Sequence, residues 1–299
     1  MNYASLDVSR SQNLQSHEPP RANVLGIGVH AVDLTWAADL IEAALAERRK
    51  GYVCVTGVHG VMEAHRNILF RRALDKAMLV VPDGTPTVWV GRTQGHAGMR
   101  RVFGPDLMIE LSRRSAHRGH TVVLYGGKPG VAEELGTNLA DWFPGIKIIG
   151  AHCPPFGPLT QLEELALEKW FDELNPDLVW VGLSTPKQEL FMARYLNRLR
   201  CRVMIGVGAA FDIHTGRLKD SPNWIKNAGL QWAHRLFQEP GRLWKRYLVN
   251  NSKFLWRIAT QLSGVTEYRL PDPQVRLSHT GLDPLTTDLE PTSLNSGDD

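Results

Sequence analysis

The stretch Thr121-Val122-Val123-Leu124-Tyr125-Gly126-Gly127-Lys128-Pro129-Gly130-Val131-Ala132-Glu133 decides the fold. It runs a β-branched, apolar segment into a glycine-rich turn and straight on into the opening of a helix. A strand delivered through a tight turn into a helix is the unit of a layered α/β domain with a largely parallel sheet. The same alternation recurs on both sides. Further strands are expected at Val24 to Ile27, Tyr52 to Thr56, Leu79 to Val81, Lys147 to Ile149, Leu178 to Val181 and Val203 to Val207. Helices are expected at Trp36 to Arg49, Val61 to Lys76, Pro105 to Arg118, Val131 to Phe143, Leu162 to Leu174 and Gln188 to Leu199. The expected fold is a Rossmann-like layered α/β domain, and in such open sheets ligands sit outside the carboxyl ends of the strands. Those loops are where chemistry is to be sought.

Composition sets the outer limits. The chain has 299 residues, 43% hydrophobic and 22% charged, which excludes fibrous and wholly disordered classes. Cys54, Cys153 and Cys201 are odd in number and widely separated, so they read neither as a disulfide framework nor as a zinc site, and a reducing cytosol fits them. Residues 1–22 have no apolar block and read as a disordered leader. No run approaches the roughly 18 to 20 apolar residues that span a bilayer. The net charge of +3 hides a strong asymmetry. Between Arg217 and Arg257 nine Lys/Arg face only Asp220 and Glu239, interleaved with aromatic rings, so 217–262 reads as a basic helical appendage to a core at 23–216. After Leu270, Arg276 alone faces six acidic residues among four prolines, and 263–299 reads as a disordered acidic tail.

The Gly126 to Gly130 turn lets backbone N–H groups approach an anion, the following helix start adds positive potential, and Lys128 can add a charge. It reads equally as a tight turn with an exposed lysine, and it lacks the spacing of a Walker A loop. Asp83, in Val81-Pro82-Asp83-Gly84, closes a strand where a carboxylate can act as a general base, or where an Asp-Gly turn simply caps the next helix. Thr56 and His59 end another strand on the same rim, either as polar contacts or as helix caps. Gln188, in Ser184-Thr185-Pro186-Lys187-Gln188-Glu189, can contact a polar substrate or belong to a helix start. Asp212 reads comparably as a turn or a site contact. Gly26-Ile27-Gly28 and Gly206-Val207-Gly208 echo a dinucleotide fingerprint, but the first lacks its ribose carboxylate and Phe211 stands where the second needs a small residue. No metal-ligand motif and no nucleophile elbow is present.

Taken together, Pro82-Asp83-Gly84, Gly126-Gly127-Lys128-Pro129-Gly130-Val131, Pro186-Lys187-Gln188-Glu189, Gly206-Val207-Gly208 with Phe211-Asp212, and Gly229-Leu230-Gln231-Trp232 through Glu239-Pro240 resemble the WecG/TagA/CpsF family of bacterial glycosyltransferases. Thr56-Gly57-Val58-His59-Gly60-Val61-Met62-Glu63 most resembles its exopolysaccharide-assembling branch. The resemblance implies transfer of a hexose from a UDP-sugar to a lipid-diphosphate-linked saccharide, with inversion and without a metal or other cofactor. It maps Asp83 to the general base, Thr56 and Gln188 to the sugar pocket, and Gly126, Gly127, Lys128 and Gly130 to the nucleotide site. The family commonly has Asn where Val58 stands, and His59 is the stand-in. Arg235, Arg242, Lys245 and Arg246 are available to neutralise the diphosphates.

The appendage is expected to dock on an anionic membrane surface, placing the protein in the cytoplasm on the inner face of the membrane. Arg235, Arg242, Arg246, Lys253 and Arg257 share one helical face by spacing, interrupted at Pro240; Leu243, Tyr247, Phe254 and Ile258 lie beside them, and Trp232, Trp244 and Trp256 supply interfacial rings. A helix packed on the core with a solvated charged face is the other reading. The rivals in function are a nicotinamide-dependent oxidoreductase and a nucleic-acid-binding module; no nucleic-acid motif is present, and self-association as a homo-oligomer is compatible with the sequence.

Overall fold

The computed structural model describes residues 18–222, 225, 231–238 and 240–271, without the side chains at 231, 232, 235, 240, 242, 243 and 245–249. The chain opens with strands β1 (Arg21–Val24) and β2 (Ile27–His30), then α1 (Leu34–Ala46), β3 (Gly51–Thr56), α2 (Val58–Ala64), α3 (Ile68–Lys76) and β4 (Leu79–Pro82). Helices α4 (Thr85–Thr93) and α5 (Gly104–Arg118) lead to β5 (Thr121–Gly126), α6 (Val131–Trp142), β6 (Lys147–His152) and α7 (Gln161–Leu174). The core ends with β7 (Leu178–Gly182), α8 (Lys187–Tyr195), β8 (Val203–Gly206) and the short α9 (Ala210–His214). Among the described residues two more helices follow, α10 (Gln231–Gln238) and α11 (Pro240–Leu262).

Strands β3 to β8 form one sheet in the order β4-β3-β8-β7-β5-β6, and every pairing is parallel. This is the expected Rossmann-like architecture. Because side chains alternate across a strand, each strand feeds two cores. Tyr52 and Cys54 of β3 with Val179 and Val181 of β7 pack under α2, α3, α7 and α8. Val53, Leu178 and Trp180 pack on the other face under α1, α5 and α6. Helix starts follow local chemistry: Asp33 accepts from the Trp36 N–H at 2.8 Å, and Thr160 with Glu163 forms a capping box.

Several elements differ from the sequence reading. The segment Val24 to Ile27 is not a sheet strand but straddles the turn of the antiparallel β1–β2 hairpin. Leu25 and Gly26 both have positive φ, as a two-residue hairpin turn requires. Gly28 faces Arg21, where a Cβ would stand 3.0 Å from its side chain. Both glycines are thus absorbed by the hairpin, away from any dinucleotide turn. The helix expected over Val61 to Lys76 is two helices, because Asn67 caps α3 by accepting from the Phe70 N–H at 3.0 Å. Helix α4 was not expected: its Thr, Pro and Val residues favour turn or strand locally, and burial of Val88 and Val90 overrides that preference.

The first strand begins at Arg21, inside the segment read as leader, while 1–17 lies outside the described residues. Residues 263–271, read as the start of the tail, are among the described residues. Through residue 271 the chain returns to the hairpin, where the Asn23 amide donates to the Tyr268 carbonyl at 2.6 Å; 272–299 lies outside the described residues. Helix α11 is docked on the core. Phe254 and Ile258, expected beside the basic stripe, are buried in the α2–α3 core, which stabilises the docking by about 3 to 6 kcal/mol. Gln261 fixes its far end, accepting from the Leu25 N–H and donating to the Asn23 carbonyl. Among the described residues no helix is long and apolar enough to cross a membrane.

Candidate active site

A parallel sheet puts all its carboxyl ends on one edge, and there the ends of β4, β3, β8, β7 and β5 lie next to one another, bordering the crevice where such sheets take their ligands. One wall is the pair β3–β4. Thr56 closes β3 opposite Pro82, and the Asp83 N–H donates to the Thr56 carbonyl at 2.9 Å, so the two expected residues stand side by side. Gly57 makes this approach feasible, since a Cβ on it would lie 2.2 Å from the Asp83 carbonyl oxygen. Thr56 is only 2% exposed, and its hydroxyl has no hydrogen-bond partner among the described residues. An unmatched buried hydroxyl at a strand end is where a bound polar group would find its counterpart.

Arg101 was missed by sequence reasoning. Its Nε lies 3.7 Å from the Asp83 carboxylate, and its guanidinium rests 4.2 Å above the Phe103 ring. The Val102 N–H donates to the Pro82 carbonyl at 2.8 Å, which stitches this loop beside β4. Nothing in Met99-Arg100-Arg101 forms a motif; only the fold returns it to Asp83.

The opposite wall is backbone. Gly126, at φ +136°, lies so close to β7 that a Cβ would stand 2.6 Å from the Gly182 carbonyl. The Gly127 N–H donates to that carbonyl at 3.0 Å. Gly127 and Gly130 also have positive φ, and Gly130 caps α6, whose first turn carries no side-chain cap. Phe211, which displaced the third small residue of the supposed fingerprint, is buried against Gly127 and Gly182. Lys128 is exposed on the turn. The Cys153 thiol donates to the Gly127 carbonyl at 3.0 Å and anchors the loop after β6; from that loop exposed Phe156 meets Lys187 Nζ 4.4 Å from its ring.

Gln188 packs beside β8, between the two strand pairs, and His59 follows β3. Gln188, 2% exposed, accepts from the Gly208 N–H at 2.9 Å, and Gly206 leaves room for its amide. The second glycine fingerprint is therefore packing around Gln188. His59, in the first turn of α2, faces Asn250 of α11, with the amide Nδ2 3.4 Å from ring Nδ1. Asn250 Oδ1 accepts from Arg66, so the buried amide ties α11 to the helix that begins at the site. Asp212 lies in the first turn of α9. Arg235, Arg242, Lys245 and Arg246 are on α10 and α11, but their side chains lie outside the described residues. Among the described residues no three His, Cys, Asp or Glu side chains converge as a metal site.

Asp83 and the glycine turn at the start of α6 thus lie on the same carboxyl edge of one sheet. The family model for the glycosyl transferase WecG/TagA/CpsF family matches residues 22–267. The chain belongs to this family. It is 30% identical over 220 residues to an N-acetylglucosaminyldiphosphoundecaprenol N-acetyl-beta-D-mannosaminyltransferase of Bacillus spizizenii, a match covering 72% of this chain and 82% of that protein. A protein of Bacillus subtilis with the same description is 30% identical over 175 residues, covering 58% of this chain and 66% of that protein. The protein is thus a glycosyltransferase, and the oxidoreductase and nucleic-acid readings lose their basis.

Proposed function

We propose that this glycosyltransferase moves a hexosyl unit from a UDP-sugar to a saccharide carried on a lipid diphosphate, with inversion, in the assembly of an exopolysaccharide or other surface polysaccharide. The observation that carries the reading is that one sheet edge holds two unlike groups: Asp83 with Thr56 at the ends of β3 and β4, and the Gly126 to Gly130 turn between β5 and α6. The turn suits a diphosphate, because its backbone N–H groups and the helix start favour negative charge. Asp83 suits an acceptor hydroxyl. As the hydroxyl oxygen bonds to the anomeric carbon, its proton passes to the Asp83 carboxylate, and the bond from that carbon to the diphosphate oxygen breaks with its electron pair leaving on UDP. Arg101 orients the carboxylate, Thr56 and Gln188 contact the sugar, and His59 takes the place of the Asn missing at Val58.

Positive side chains and helix starts stabilise the leaving diphosphate in this reading, with Arg235, Arg242, Lys245 and Arg246 supplying charge from the appendage. The similarity to transferases described as acting on a diphosphoundecaprenol-linked sugar supports the lipid-linked acceptor. Docking on the inner face of the membrane gets support from α10 and α11, where Phe237 is 87% and Trp256 73% exposed, with Trp244, Leu255 and Lys253 exposed nearby. The test is calorimetric titration with UDP, followed by a screen of UDP-hexoses and UDP-N-acetylhexosamines against a synthetic prenyl-diphosphate-linked GlcNAc. UDP binding and UDP release with one of these donors is expected; no UDP binding overturns the reading.

A further inference from the structure

The mechanism leaves one buried charged group without a task. Glu189 is 1% exposed in the first turn of α8, where the helix dipole favours a negative charge. Its Oε1 accepts from the Thr185 hydroxyl at 2.8 Å and from Gln188 Nε2 at 3.1 Å. Gln188 in turn receives the Gly208 N–H on Oε1. A backbone N–H can only donate and a carboxylate can only accept, so these two partners fix which end of the Gln188 amide is which. We infer that Glu189 is a positioning residue that holds the Gln188 amide with one Nε2 hydrogen left over for substrate, so that this wall of the pocket recognises a hydrogen-bond acceptor on the sugar, a hydroxyl or N-acyl oxygen.

The surroundings agree with this task. Gly206 carries no side chain where a Cβ would lie 2.9 Å from Gln188 Nε2, so β8 leaves the amide in one place. Cys54 and Thr56 point to the same face of β3, and Cys54 lies close enough to Glu189 for the charge to push its thiol up beyond the effect of burial. The Thr56 hydroxyl therefore stands on the same side of the sheet as Gln188 and Glu189. A carboxylate acceptor also strengthens the N–H bond it receives, which a neutral acceptor at the same place does less well.

The inference rests on the proposed contact between Gln188 and sugar, and a double-mutant cycle separates the two. In the full chain, with the donor that the screen selects, Gln188→Ala is expected to lower kcat/KM by about 10 to 100-fold, the effect of one buried hydrogen bond to a reacting substrate. Glu189→Leu is expected to lower it by a similar factor, Glu189→Gln, which keeps an acceptor oxygen, by a few-fold only. Glu189→Asp, which keeps the charge but withdraws the acceptor by one methylene, should fall between. In the Gln188→Ala background each Glu189 variant is expected to add less than about threefold, since groups acting through one another are not additive. Equal losses in both backgrounds overturn the inference while leaving Gln188 a substrate contact. Unchanged turnover in Gln188→Ala, or no turnover with any donor, overturns the reading beneath it. If Glu189→Leu melts well below the parent, the Gln and Asp variants decide the cycle alone.

Discussion

The two walls of the crevice are made of different material. On the β3–β4 side the groups able to do chemistry are side chains, Thr56, Asp83 and Arg101, on a backbone stitched by the Asp83 N–H to the Thr56 carbonyl and the Val102 N–H to the Pro82 carbonyl. On the β5–β7 side they are backbone groups, and the side chains have been removed to let two strand ends touch at Gly126 and Gly182. A wall of side chains can be emptied one group at a time without moving the chain. A wall of backbone can be damaged only by adding something. The distinction matches the two halves of a glycosyl transfer: proton removal needs a titratable atom, whereas holding a diphosphate needs several donors aimed at one place.

The largest effect is expected on the first wall. Asp83→Asn removes the proposed base while keeping the residue 83 N–H bond to Thr56 and the shape of the turn, so turnover should fall by about 100 to 10,000-fold. UDP affinity, measured by titration, should stay within about twofold. Turnover near the parental value would make Asp83 a turn residue and end the comparison. The second effect is the mirror image. Gly126→Ala forces a Cβ against the Gly182 carbonyl at a positive φ, a strain on the order of 1 to 3 kcal/mol, or about 5 to 150-fold in UDP affinity. Its kcat at saturating donor should change much less, because Asp83 is untouched. Unchanged UDP affinity in a folded Gly126→Ala protein would detach the glycine turn from the nucleotide.

How much of this could be read in the sequence follows the same division. The side-chain wall announces itself, since Asp83 and Thr56 end apolar runs, and their placement on one rim follows from parallel strands alone. The glycine turn was visible as a turn, but its partner Gly182 was not, because that contact depends on β7 lying next to β5. Arg101 and Asn250 were invisible for a related reason. Each is an isolated polar residue whose partner, Asp83 or His59, lies across a fold boundary with no periodic pattern linking them. The β1–β2 hairpin was misread because Leu25-Gly26 lacks the Asn-Gly or Asp-Gly signal of such turns, so an uninterrupted apolar run looked like one strand. The break at Pro240 was legible; which face of α11 met the core was not, since Phe254 and Ile258 flank the basic stripe as closely as the exposed rings do.

A third region tests whether membrane contact acts on either wall. Trp244 and Leu255 are eleven residues apart, three helical turns, and share an exposed stripe on α11, with Trp256 one step round. Replacing Leu255 and Trp256 together by Ser removes two exposed apolar groups and leaves Asn250, Phe254 and Ile258 in place. Co-sedimentation with anionic vesicles is expected to weaken by about tenfold, the scale of apolar area withdrawn from an interface. Turnover on a water-soluble acceptor and UDP affinity should be unchanged, which would make docking independent of both walls. Retained vesicle binding would leave α11 as a packed helix with a solvated face.

The smallest effect concerns what stands behind the first wall. Strand β4 is an edge of the sheet, and β2 covers that edge with a fully buried imidazole: the Val80 N–H donates to His30 Nδ1 at 2.8 Å. Burial pushes the His30 pKa below 6.5, against opposing contributions from Glu18, whose carboxylate lies 3.9 Å from Nε2, and from the Val80 carbonyl; Arg21 adds to the lowering. The folded protein therefore favours the neutral ring, while the unfolded chain takes up a proton below about 6.5, so stability is full above that pH and declines as pH falls toward the folded value. Glu18 runs later: its carboxyl is held down at about 2, chiefly by the neighbouring His30 imidazole and then by Arg21, so its contribution persists until far stronger acid. Half-buried His65, lowered mainly by desolvation and then by Arg257 and Arg71, contributes the same sign as His30. Between pH 7.5 and 5 the His30 contribution is at most about 1.4 kcal/mol per pH unit below 6.5. His30→Asn keeps an acceptor near the Nδ1 position and cannot take up the proton. Its stability at pH 7.5 should be lower, by about 1 to 3 kcal/mol for the lost packing, but its decline toward pH 5 should be shallower than the parent's, with His65 sustaining the remainder. Amide exchange, corrected for intrinsic rates, should show the parent losing protection in Val80 and Val81 of β4 before Val123 and Leu124 of β5. Equal loss on both strands, or an unchanged pH slope in His30→Asn, would show that the imidazole is only filler and that acid reaches the two walls alike.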